Sequence, residues 1–193
     1  MTDEELLDNY PTHFVPPEIG PVLGTRTREQ AHELFGWVMT VKPARIATIA
    51  KFVGVSLERD ISDLIDRIDE VLPSFFPNHS GPVVDGELEP SDFYFRASFD
   101  MGLVLGEALI AADSNNEWTV SKADRRMMEH GKHVVRNLET GQEANVGQLA
   151  RVCASTWSTG KGASLAEVAQ IWAAKLKRPV FRAAARNKVD SHR

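Results

Sequence analysis

Only one cysteine occurs in 193 residues, so no intrachain disulfide can staple the fold. That lone thiol, Cys153, and an acidic start, Met1-Thr2-Asp3-Glu4-Glu5, without the basic and apolar regions of a signal peptide lead to the expectation of a cytoplasmic protein. Long apolar runs are missing too. The most apolar stretch, 97–112, is interrupted by Asp100 and Glu107 and falls short of the roughly 20 residues a helical span needs, so no transmembrane segment is expected. Signatures of chemistry are equally scarce. Ser158-Thr159-Gly160-Lys161-Gly162 lacks the Gly-x4-Gly-Lys-Ser/Thr spacing of a phosphate loop and reads as a linker between helices. His130 and His133 stand at the entry to a β-favouring segment, where positions three apart point to opposite faces, and no partner set accompanies them. No nucleophile elbow flanks any serine, and Cys153 sits on the apolar stripe of its own helix as a small buried hydrophobe. Neither a metal nor a cofactor is expected.

What is present is an ordinary globular composition, 42% hydrophobic, 25% charged and 8% aromatic, which excludes wholesale disorder and fibrous repeats. The formal charge of −5 hides an asymmetry: residues 175–193 carry seven basic side chains against one acid, a net +6 that leaves −11 for the rest. A basic tail can hold phosphates, yet nucleic-acid domains carry their positive charge on the folded face, so nucleic-acid binding is disfavoured. The chain divides into a proline-rich arm (1–26), a single α+β domain (27–178) and a basic C-terminal tail (179–193).

Within the domain the spacing predicts about six helices around a buried central one, with a small antiparallel β pair. Thr27 and Gln30 form a capping box for a helix over 28–40, and Pro43 opens a second that stops at Gly54. The third, 60–72, has a narrow apolar stripe (Ile61, Leu64, Ile65, Ile68, Val71, Leu72) opposite a solvated face of Asp63, Asp66, Asp69 and Glu70. Residues 92–112, apolar nearly all round, make the central element, capped by Ser91. In it Gly102 and Gly106 each weaken the helix by about 1 kcal/mol relative to alanine, a cost that fits close approach of another backbone. Segments 118–120 and 133–138 form the β pair, and Asn145 and Ser164 cap the last two helices.

Arg96, Asp100 and Glu107 fall in one narrow sector of the central helix, beside the apolar Leu103 and Val104. Three readings follow: a solvent-facing side, a buried structural network, or a binding or catalytic site. The pieces AHELFGWVMTVKPARIATI, SLERDISDLIDRIDEVL and DMGLVLGEALIAADSNNEWTV occur in an order that resembles a family of uncharacterised bacterial proteins. Its pattern maps here to Phe35 and Trp37, Arg45 and Ile46, the helix 61–72, Asp100, Gly102, Gly106, Glu107 and Trp118. The resemblance covers roughly residues 28–120 and implies a shared fold, without an activity. A pattern that retains both acids and both glycines implies a polar network inside the fold, with Arg45 as the counter-ion of Glu107. The candidate polar cluster is therefore Arg45, Arg96, Asp100, Glu107 and Trp118.

With no catalytic constellation and an acidic body, the leading expectation is a non-enzymatic accessory, inhibitor or immunity-type protein whose partner is another protein. The alternatives are a small-ligand-binding or hydrolytic enzyme using Asp100 and Glu107, and a nucleic-acid binder acting through the tail.

Overall fold

The computed structural model describes residues 27–58, 60–76, 83–84, 87–88, 92–123 and 131–179; the arm, the cap expected at Ser91 and residues 180–193 of the tail lie outside them. At Thr27 the capping box is closed in both directions, and it launches α1, Arg28–Val53, which ends where Gly54 takes a left-handed φ of 75°. α1 replaces the two helices expected from the sequence, because Pro43 lies inside it. A mid-helix proline costs about 3 kcal/mol. Here both halves of the helix bury apolar residues, Leu34 and Val38 before the proline and Ile49, Ala50 and Val53 after it, and burial at roughly 1.5–3 kcal/mol per large side chain outweighs that cost. Among the described residues the helices therefore number five.

Asp60 caps α2, Ile61–Val71, whose Leu64, Ile65 and Ile68 are buried, and a short 3-10 turn, Leu72–Ser74, follows. Two-residue strands β1, Val83–Val84, and β2, Glu87–Leu88, form an antiparallel pair that no alternation in the sequence announces. α3, Asp92–Ala112, is the central helix: Met101, Val104, Leu105 and Leu109 are completely buried. β3, Asn116–Val120, pairs antiparallel with β4, His133–Asn137, in the register Trp118↔Val135, and a third strand, β5, Glu143–Ala144, adds to β4. α4, Val146–Ser158, and α5, Leu165–Leu176, complete the layer over the sheet and α3. The protein is α+β.

The main core joins all five helices to the sheet, with Phe76 at its aromatic centre, 5.6 Å from Phe93 and 5.4 Å from Trp157 between ring centroids. A smaller cluster of Leu34, Val38 and Leu103 joins the first half of α1 to α3. α3 thus contributes to both apolar clusters, and the polar stripe runs along its seam with α1. No helix among the described residues is long and apolar enough to cross a membrane.

Asp69 departs from the solvated face on which the sequence places it. Its carboxylate accepts the backbone N–H groups of Leu165 (2.7 Å) and Ala166 (3.0 Å) and the hydroxyl of Ser164 (2.8 Å). It supplies negative charge where the unpaired donors and the dipole of α5 demand it, a contribution of about 1 kcal/mol. Asp63, Asp66 and Glu70 do remain exposed.

Candidate functional site

The seam between α1 and α3 contains two ion pairs. Arg45 donates to Asp100 in a two-pronged contact, Nε to Oδ1 at 2.9 Å and Nη2 to Oδ2 at 2.6 Å, with the carboxylate sealed from solvent and the guanidinium nearly so. A planar fork matches a carboxylate in this way, whereas a lysine ammonium does not. Seven residues further along α3, Glu107 Oε1 accepts from Lys42 Nζ at 2.6 Å and from the Trp118 indole N–H at 2.7 Å. Lys42 also stands 5.7 Å from the centre of the Trp118 ring, so the ammonium touches both the carboxylate and the π face. This pair is wetter, with 19% of the lysine and 31% of the glutamate side chain exposed.

The structure therefore corrects the expected pairing of Arg45 with Glu107: Arg45 belongs to Asp100, and the cation on Glu107 is Lys42. Lys42 went unnoticed because a helix break at Pro43 would leave it in a linker. In a continuous α1 it lies three residues before Arg45, on the same face. Of the predicted cluster, Arg45 and Asp100 meet, Glu107 and Trp118 meet, and Arg96 lies four residues before Asp100 on α3, partly exposed. Leu103 and Val104, which flank the stripe, are buried, so this side of α3 is no wet face.

The two glycines of α3 serve different neighbours. A Cβ on Gly102 would come within 3.2 Å of the Gly147 Cα on α4, the close backbone approach expected. At Gly106 the neighbour is instead a side chain, because a Cβ there would fall 1.9 Å from Cζ2 of Trp118. The absent side chain lets the six-membered edge of the indole approach α3 closely with its N–H directed to Glu107.

Beside this network a cleft of about 280 Å³ opens between α1, α2 and α3, with Glu107 and the cap residue Asp60 among its walls. Among the described residues no group of three His, Cys, Asp or Glu side chains comes together in a form that could hold a metal ion.

Cys153 is fully buried. Burial, reinforced by the charge of Asp69, pushes its thiol from 9.0 up to about 11, so the thiolate nucleophile is scarce at neutral pH. Below about pH 8 the thiol is almost wholly protonated in both the folded and unfolded chain and has little effect on the pH dependence. As pH rises from 9 towards 11 the unfolded chain ionises first, and stability falls by up to about 1.4 kcal/mol per pH unit. Urea unfolding across this range should show a steeper decline in the wild type than in Cys153→Ala. Equal slopes would mean that the thiol is not shielded.

No protein-family model, curated protein or solved structure matches the chain.

Proposed function

We propose that this is a cytoplasmic, non-enzymatic protein of the accessory or inhibitor type that binds a basic protein partner through α2 and the adjoining cleft. The observation that carries the reading is the composition of that surface. Asp60, Asp63, Asp66 and Glu70 are exposed along one helix, and the cation there, Arg67, is engaged by Glu70 at 2.5 Å and by the carbonyl of Val53. Leu57, 54% exposed, adds an apolar contact at the edge of the same region. An acidic field with an apolar element inside it supplies both steering and a desolvated anchor for a positively charged surface.

The hydrolytic alternative is less well supported, since Asp100 is sealed from solvent and clamped by Arg45, which leaves Glu107 as the accessible carboxylate of that pair. A general acid or base needs hydrogen-bond reach to the substrate. The test is capture of interacting proteins with the wild type and with the double variant Asp63→Lys/Asp66→Lys. The proposal expects a stoichiometric partner of basic character, released by salt and lost with the charge-reversed variant. A partner set that does not respond to the reversal would overturn it.

A further inference from the structure

The cleft beside α2 has features of its own. Its apolar walls come from Ile46 on α1 and from Ile61 and Leu64 on α2, and among the described residues its two ionisable groups are both acids, Asp60 and Glu107. The Glu107 carboxylate is unevenly used. Oε1 accepts both Lys42 and Trp118, while Oε2 accepts no hydrogen bond from the described residues. Asp60 is similarly half-engaged, with Oδ1 on the N–H of Ser62. Lys42 balances one of the two negative charges, and among the described residues the cleft lining contains no cation. A carboxylate oxygen without a donor, beside a hydrocarbon wall, matches a group that carries a charged donor at the end of an aliphatic stem. The volume of about 280 Å³ lies just below the roughly 300–1,000 Å³ of small-molecule sites, which suits one long side chain better than a cofactor-sized ligand.

We propose that the cleft receives a single lysine or arginine side chain of the protein partner, its stem on Ile46, Ile61 and Leu64 and its cationic head between Glu107 Oε2 and Asp60. This rests on the protein-binding reading above and gives it an anchor residue. Arrival of a second cation at Glu107 alters the field at the Trp118 indole N–H, which shares the same carboxylate. The site thus contains its own reporter.

The experiment titrates ¹⁵N-labelled protein with the capped tripeptides Leu-Lys-Leu, Leu-Arg-Leu and Leu-norleucine-Leu, and with n-butylammonium, following the Trp118 indole N–H and the amides of Ile61 and Ala111. Saturable shifts with the lysine and arginine peptides are expected, with affinity at least about fivefold weaker for norleucine and for butylammonium, a difference of about 1 kcal/mol. Glu107→Gln should weaken lysine binding about tenfold. Because that variant also touches the α1 seam, Ala111→Trp, which fills the cleft from an exposed position and leaves Glu107 intact, should abolish binding independently. Equal shifts with norleucine, an indole signal that does not move, or butylammonium binding as tightly as the lysine peptide would each overturn the assignment. If Asp63→Lys/Asp66→Lys releases a captured partner while Ala111→Trp retains it, the anchor is refuted and the protein-binding reading stands. If no partner is captured, the reading itself fails, whatever the peptides do.

Discussion

Truncating Asp100 to alanine is expected to cost about 3–5 kcal/mol of unfolding free energy, because it leaves the Arg45 guanidinium buried with its main counter-charge removed. Replacing both residues, Arg45→Met with Asp100→Leu, should cost much less than the sum of the single changes. Taking two charges out of water is itself unfavourable, and a well-packed apolar pair of similar volume avoids that cost. A double-mutant cycle read by urea unfolding makes the comparison direct, with an expected coupling of 2 kcal/mol or more, on the order of the upper range for contacting residues. The same cycle on Lys42 and Glu107 should give a markedly smaller value, since water reaches both partners of that pair and screens them. Additive single effects at Arg45 and Asp100 would mean that the two-pronged contact does not persist in solution.

The second large effect is at Gly106. Alanine at a helix interior ordinarily gains about 1 kcal/mol over glycine. Here its methyl would coincide with the Trp118 ring, and the six-membered edge of an indole cannot yield without the whole side chain swinging away. That movement breaks the N–H bond to Glu107 and removes the ring from beside Lys42. Overpacking at about 1–3 kcal/mol and the loss of a hydrogen bond to a charged acceptor at about 1.5–3 kcal/mol exceed the helix gain, so Gly106→Ala should be net destabilising by about 2–4 kcal/mol. Trp118→Leu in the same chain should recover much of the overpacking component, which would identify the indole as the obstacle. Gly102→Ala should be milder, since its 3.2 Å contact asks Gly147 to move only a few tenths of an ångström. If the two alanine variants melt alike, the indole does not lie against α3.

The elements that the sequence revealed well are those whose signal is local. The capping box at Thr27, the narrow stripe of α2 and the all-round apolarity of α3 each follow from spacing within one turn or two. What was not legible depends on how one helix is phased against another. At Pro43 a local preference for a break met burial on both sides of it, and burial prevailed. That single outcome decided the register of α1 on α3, and with it whether Arg45 would meet Asp100 or Glu107. Lys42 and Asp69 were missed for the same reason. Each has an unremarkable helical neighbourhood in sequence, and acquires its role only from a partner 65 residues away in one case and some 95 in the other. The two-residue strands β1, β2 and β5 are too short for alternation to be read at all.

The capping of α5 by Asp69 bears on the order in which the molecule assembles. The bonds join positions 95 to 97 residues apart, and closing a loop of that length costs roughly 4 kcal/mol of chain entropy beyond a constant offset. A cap contributing about 1 kcal/mol cannot meet that cost alone. The contact must therefore form after α2 has settled on α3 and after Leu165 and Leu176 have entered the same core. A twelve-residue α5 is too short to persist by itself in water. The cap is consequently a late interaction of folding, made to a carboxylate that the packing of α2 has already positioned.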